Sequence, residues 1–333
     1  MKSLYNIIAI TILAILVIGC NSKESKEKNN SNVDTIQLEE PIISSPIFTD
    51  SLIENCSKED ALSYLKESND WDKYSTGIIP SIIEQDLEYA RKLINNQYPH
   101  FIFVDKRTMM VILYNKFGQR ELNFKMACGK NYGTKHKKAD SRTPEGYFIC
   151  GGKYDSTDWL FTDDNGYTSP IKGQFGPRFI RINAPITTQI GIHGTHARYS
   201  IGRRCSHGCI RIQNEEILYL HKFAKKGMPI IVNPGEKDNK INKEEGYDIP
   251  MIILSDTIID NPKEFFEFKK EIEIEQARKD SIEAAIILKA KNDSIAKAKL
   301  DSISKFSDSI STKTLTDSIS TDSIKTDITY LLQ

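Results

Sequence analysis

The apolar residues change period at Phe101, and no other feature of the chain limits its fold as strongly. Residues 101–104 and 109–113 are apolar runs. Residues 121–128 alternate strictly, with Leu122, Phe124, Met126 and Cys128 on one side, the two-residue period of a half-buried strand. Phe117-Gly118 marks a turn between the second and third of these segments. Further strand-like pieces lie at 147–150, 179–182, 189–193, 209–212 and 229–232, separated by Gly, Pro, Asn and Asp. A region patterned this way is mainly β. One helix interrupts it after Asn214, where Ile217, Leu218, Leu220 and Phe223 would face the sheet and Gly227 would stop the helix.

The flanks follow other rules. Residues 38–98 turn helical in pieces: Ser57 to Asp60 resembles a capping box ahead of Ala61, Leu62 and Leu65, and Ile82, Ile83, Leu87, Ala90, Leu93 and Ile94 follow Pro80 at helical spacing. This predicts a helical lead-in packed on the next domain. Residues 235–333 read as a charged tail. Within it, residues 264–299 contain no Gly or Pro and suit a long exposed helix. The triplet Asp-Ser-Ile then recurs from Asp280, Asp293, Asp301, Asp308, Asp317 and Asp322. The irregular intervals exclude a solenoid and support no sustained heptad, so the tail is expected to be helical at first and disordered beyond.

The chain has 333 residues, 39% of them apolar, enough for one or two domains with a core. Its 45 basic and 45 acidic residues give no electrostatic case for a nucleic-acid partner. The only long apolar run is at the N-terminus, where Lys2 precedes an apolar stretch of about 13 residues, the length of a secretory signal rather than of a membrane span. It ends in Leu16-Val17-Ile18-Gly19-Cys20. Those residues resemble a bacterial lipobox, which implies cleavage after residue 19 and acylation of Cys20 as a membrane anchor. Asn21 is not an aspartate. By resemblance to Gram-negative lipoproteins, that favours the outer membrane, facing the periplasm. Residues 20–37 then form a flexible tether.

Chemistry concentrates at residues 190–212, IGIHGTHARYSIGRRCSHGCIRI, with three of the six histidines and two of the six cysteines. In an extended backbone, Ile190 and Ile192 point to one face and His193 to the other. Likewise Ile210 and Ile212 oppose Cys209 and Arg211. If the two strands are neighbours, His193, Cys209 and Arg211 share a face turned away from the core. A cysteine paired with a histidine can have its pKa lowered from about 8.5 to roughly 3.5–7.5, which would make the thiolate the resting form. The N–H groups of Gly208 and Cys209 are candidates for an oxyanion hole, where one lost donor costs about 2.7–4 kcal/mol. Arg211 offers a fork for a substrate carboxylate or, equally, pairs with a structural acid. Ser206 and His207 would orient the loop, with a direct catalytic part for His207 left open.

Taken together, His193-Gly194-Thr195, Ser200-Ile201-Gly202 and Ser206-His207-Gly208-Cys209-Ile210-Arg211 resemble the signature of the L,D-transpeptidase, or YkuD, catalytic domain. Phe103-Val104-Asp105-Lys106, Thr143-Pro144-Glu145-Gly146 and Gly176-Pro177-Arg178 match further pieces in order, and the likeness covers residues 99–234. The resemblance implies a β-sandwich without a cofactor, whose partners are peptidoglycan stem peptides. It makes Cys209 the nucleophile and His193 the base, with the Gly194 carbonyl helping to hold the imidazole. Beside it, the residues' own chemistry assigns Ser206 and Arg211 to substrate binding. The implied reaction forms a thioester with the third stem residue, releases D-alanine, and passes the acyl group to a neighbouring stem amine. With water as acceptor, the same site is an L,D-carboxypeptidase.

Three departures from the family pattern stand out: His196, a second thiol at Cys205, and the pair Cys128 and Cys150, which an exported protein could oxidise to disulfides. A different class of reading uses Cys205, Cys209, His193, His196 and His207 as zinc ligands, but leaves the flanking motifs unexplained. Asp163-Asp164-Asn165-Gly166, with Trp159, Phe161 and Tyr167, reads as a hairpin tip. It could serve as a lid or simply cover its own aromatics.

Overall fold

The computed structural model describes Phe48 and residues 56–163, 165–187 and 189–313. The signal sequence, Cys20, the tether, Asp164 and the last two Asp-Ser-Ile triplets lie outside the described residues.

Ten strands carry the fold. In chain order they are β1 (His100–Asp105), β2 (Met110–Asn115), β3 (Arg120–Lys125), β4 (Cys128–Gly129), β5 (Gly146–Asp155), β6 (Arg178–Ile182), β7 (Gly191–His193), β8 (Arg204–Ser206), β9 (Ile210–Arg211) and β10 (Pro229–Asn233). Eight form one sheet in the order β3-β2-β1-β10-β5-β6-β7-β9, and β4 pairs with β8. The sheet curls back on itself. An isolated bridge joins Ala127, just past β3, to Arg211 on β9, with hydrogen bonds of 2.8 Å in both directions. Its two halves thereby form the two layers of the expected sandwich. Ile102, Val111, Leu122 and Phe124 from one half and Ile180, Ile192, Ile210 and Ile212 from the other share one core, joined by Ile217 and Leu220 of helix α5 (Asn214–Phe223).

The other face of β1, β2 and β10 is apolar too: Phe101, Phe103, Ile112, Tyr114 and Ile231 enter a second core. These strands are therefore buried on both sides, which is why 101–104 and 109–113 read as apolar runs and 121–128 as an alternation. The covering layer is helical: α1 (Lys58–Glu67), α2 (Trp71–Tyr74), α3 (Ile79–Gln85) and α4 (Leu87–Ile94) contribute Leu65, Tyr74, Ile79, Ile82, Ile83 and Leu93. Ser57 opens α1 with a reciprocal capping box to Asp60. The apolar pattern after Pro80 is split between two helices. Asp86 interrupts it by taking an extended backbone and accepting the Tyr89 N–H at 2.6 Å, which caps α4.

The segment after Gly235 differs from its reading as the start of a tail. Helix α6 (Glu236–Glu244) sends Asp238 and Asn242 fully into the interior. Beyond it the chain runs back along the sheet as a strap. Ile252 is buried, with its backbone held by Asn233 at 2.7 and 2.9 Å. Asp256 receives both ends of the Arg120 fork at 3.0 Å. Asn261 bonds the backbone of Asn123. Individually polar and irregular in sequence, these residues carry no periodicity, so their packing was not legible. Only after them does the chain leave the body, as α7 (Lys263–Lys313), a helix of 51 residues and roughly 75 Å. Phe265 anchors its first turn against Tyr219. No described helix is long and apolar enough to cross a membrane.

Candidate active site

Strands β6, β7 and β9 are adjacent, with Phe179 opposite His193 and His193 opposite Arg211. The neighbour relation on which the face argument depended is therefore present. The shared face opens on a cavity of about 690 Å³ lined by His193, Cys209, Arg211, Ser206 and His207, and by Phe161, Phe175 and Phe179.

His193 is turned away from the aliphatic core but not toward solvent: it is 2% exposed. Its ring stacks on Phe179 at 5.7 Å and 11° and touches Phe175 at 5.1 Å. Its Nδ1 lies 2.5 Å from the Gly194 carbonyl. A carbonyl only accepts, so Nδ1 carries the proton and Nε2 is left with the lone pair. Burial pushes the imidazole pKa down to about 4, with Arg211 adding to the shift and the Gly194 and Phe175 carbonyls opposing it. The site thus holds a neutral base.

Cys209 is half-buried, and its thiol donates to the Gln189 carbonyl at 3.4 Å. Burial pushes the thiol up from its ordinary range, against smaller opposing effects from Gly191, Arg211 and Lys135. The expectation of a resting thiolate is therefore corrected. A desolvated thiol and a desolvated imidazole on the wall of one cavity each favour the neutral form.

The loop before Cys209 is tightly stapled. Gly208 takes a φ of +133°, and a Cβ there would lie 2.6 Å from the Arg142 carbonyl oxygen, so only glycine fits. Its N–H donates to Ser206 Oγ at 3.0 Å, and its carbonyl accepts from Thr143 Oγ1 at 2.8 Å. That corrects the expected oxyanion pair, because the Gly208 N–H is already committed. Ser206 Oγ also donates to the Cys209 carbonyl at 2.6 Å, and the residue is 2% exposed. Its hydroxyl is consumed inside the loop, so Ser206 acts as a staple rather than as the substrate contact expected. His207 is exposed and stacks on Phe161 at 5.2 Å, linking the loop before Cys209 to the 156–176 excursion. That excursion does close a hairpin, with Thr162 bridged to Thr168, and Trp159, Leu160 and Phe161 form a wall of the cavity.

Arg211 has no carboxylate partner among the described residues, and its buried Nε makes no hydrogen bond. Of the two readings of Arg211, the structural ion pair is not formed. His196 and Cys205 are exposed and absent from the cavity wall. Among the described residues no three His, Cys, Asp or Glu side chains converge to hold a metal. All five described cysteines are free. Cys128 packs as a small apolar residue in the core.

A family model for the L,D-transpeptidase catalytic domain matches residues 99–232. The chain is 32% identical over 136 residues to "Putative L,D-transpeptidase YqjB" of Bacillus subtilis, covering 40% of this chain and 70% of that one. The chain belongs to the L,D-transpeptidase family. Among solved structures, the Ldtfm-avibactam carbamoyl enzyme is similar at 24% identity and a TM-score of 0.32, over 41% of this chain and 50% of that one. The helical cell shape determining protein Pgp2 of Campylobacter jejuni is similar at 19% identity and a TM-score of 0.33, over 42% and 49%. The chain thus spans about half the length of these solved relatives.

Several residues of this L,D-transpeptidase site escaped the sequence reading. Phe179 and Arg181 were recoverable, since alternation in Phe179-Ile180-Arg181-Ile182 puts both opposite the core. Asn214 was not. It accepts the Thr195 N–H at 2.8 Å and sits where a Cβ on Gly194 would strike its Oδ1 at 2.3 Å. A helix-start residue gives no sign that it holds a loop 20 positions earlier in the chain.

Proposed function

We propose that this chain is a peptidoglycan L,D-transpeptidase acting through Cys209. The observation that carries the proposal is the convergence, at one cavity, of a thiol, a neutral imidazole with a free lone pair on Nε2, and an unpartnered guanidinium at Arg211.

The donor stem lays the carbonyl of its third residue over Cys209 and its terminal D-alanine carboxylate toward Arg211. Sγ attacks the carbonyl carbon as its proton passes to His193 Nε2, so charge develops only in the presence of substrate. The Cys209 N–H is the donor that remains for the oxyanion. Collapse expels the D-alanine amine, which takes the proton from His193, and leaves a thioester. A stem amine then attacks, returns a proton to His193 and releases the thiol. His207 and the aromatic wall hold the stem and exclude water, which favours an amine acceptor. The enzyme works in the cell envelope, lipid-anchored at Cys20, with residues 20–37 giving it reach from the outer membrane.

Incubation with defined tetrapeptide stems followed by mass spectrometry tests this reading. Wild type should yield cross-linked dimers and D-alanine, and Cys209→Ala neither, a loss of at least about 10³-fold. Tripeptide without dimers would reassign the site as a carboxypeptidase. Undiminished product from Cys209→Ala would end the cysteine mechanism.

A further inference from the structure

The cavity wall is chemically one-sided. Among the described residues it includes four cationic residues, Lys135, Lys138, Arg181 and Arg211, and no Asp or Glu, in a chain whose charges balance overall. Lys135 is accounted for by Asp140 at 2.6 Å. Arg178, on the same strand as Arg181, is accounted for by Asp155 at 2.6 Å. Arg181 is different. Its guanidinium lies over the Tyr154 ring at 4.5 Å, which fixes its plane while leaving the edge free. Its Nε is buried and makes no hydrogen bond. A guanidinium held in place, partly desolvated and left without a partner anion, is a receptor for a carboxylate brought by a ligand.

The register says which carboxylate. One row across the sheet is Phe179, His193 and Arg211; the next is Arg181 and Gly191. The rows are two residues apart along β6, roughly 7 Å. If His193 protonates the leaving amine, the leaving residue lies in its row, beside Arg211. Arg181 then lies toward the half of the donor that remains on the enzyme.

We infer that Arg181 is a specificity residue that receives a free carboxylate on the acyl half of the stem peptide. The inference rests on the transpeptidase reading and adds a selection rule to it: the site takes stems whose acyl-half carboxylates are ionised and rejects those in which they are amidated. Arg211 serves the leaving residue and is emptied when D-alanine departs. Arg181 stays engaged through the thioester and keeps the acyl group oriented for the acceptor.

The test is a substrate-by-variant cycle measured as kcat/KM for D-alanine release, with synthetic tetrapeptides whose acyl-half side-chain carboxylates are free or amidated. With wild type, amidation should lower kcat/KM by about 10- to 100-fold, mainly through KM. Arg181→Gln should lose a similar factor on the free acid and then be indifferent to amidation. Arg181→Lys should recover part of the loss. Amidating the terminal D-alanine carboxylate should cost wild type and Arg181→Gln the same. Penalties that simply multiply, or an Arg181→Gln enzyme as active as wild type on the free acid, would overturn the assignment. Calorimetry with Cys209→Ala protein reads the same cycle as binding, without turnover. There, equal affinity for free and amidated peptides defeats the Arg181 inference, whereas absence of turnover by wild type defeats the transpeptidase reading alone.

Discussion

Two groups of charged and titratable side chains in this molecule are built on opposite principles. Under β1 and α6, Lys106 is fully buried between Glu145 and Asp238, 2.9 Å from Asp238 Oδ1 and in hydrogen-bond contact with Glu145. Asp238 also binds Arg204 and accepts from the N–H groups of Gly133 and Gly235 at 2.8 and 3.1 Å. Asn242 donates to Glu145 at 2.6 Å. Around the cavity, Arg181 and Arg211 have buried Nε atoms with no partner, and His193 is buried uncharged. The first group settles its charges internally; the second leaves them open. Charge paired within the protein can hold a fold together, and charge left unpaired on a cavity wall stays available to a ligand.

The largest effect should come from breaking the paired group. Lys106→Met leaves Glu145 buried without a cation and Asp238 with Arg204 alone, and a broken buried pair costs about 3–5 kcal/mol. Urea unfolding should show a loss of unfolding free energy of that size, read as a lower midpoint at unchanged slope. If the single variant unfolds like wild type, the group is not structural and the contrast collapses.

Next is His193, buried like Lys106 but uncharged. Its folded pKa of about 4 lies below the ordinary 6.5, so between those values the unfolded chain binds the proton and the folded one does not. Stability is therefore fully present above pH 6.5 and falls with acidification through about pH 4, by about 3 kcal/mol for a shift of this size. Denaturant melts at pH 7, 5.5 and 4.5 should reveal the slope, and His193→Gln should flatten it. A slope unchanged in His193→Gln would assign it to other groups. The acid limb of kcat/KM should fall near the same pH, because protonated Nε2 cannot accept the thiol proton.

The two charge groups were not equally legible in sequence. Two members of the open group announced themselves, because His193 and Arg211 alternate with isoleucines and period-two patterning assigns faces without knowledge of contacts, whereas Arg181 was passed over. The paired group was visible only as fragments of a resemblance, Lys106 in one motif and Glu145 in another. Asp238, their shared partner, lay in a stretch read as tail, because pairing across 132 positions leaves no local pattern. The same limit hid the strap of Ile252, Asp256 and Asn261. Conversely, the protonation states were misread for want of burial. Spacing suggested a thiolate–imidazolium pair, but Phe175 and Phe179 enclose the ring and the low dielectric reverses the preference. Sequence gives adjacency of chemical types, whereas desolvation belongs to the assembled cavity.

Arg211→Gln should give the smallest change in free energy and tests the open group directly. A structural arginine in this position would be missed by the fold. An open one should not be, because removing a guanidinium whose buried Nε has no partner also removes its desolvation cost. The melting midpoint should therefore stay the same or rise slightly. The loss should appear instead in turnover: a charged hydrogen bond is worth about 1.5–3 kcal/mol, which is roughly 10- to 150-fold in kcat/KM. It should fall on substrates with a free D-alanine carboxylate and vanish on their amides. Amidating the acyl half should still penalise Arg211→Gln as it does wild type, which separates the two arginines by the side of the scissile bond each one reads. A variant that melts several degrees lower while discriminating the amides as before would place Arg211 with the paired group, and the cavity would then hold a single open arginine, Arg181.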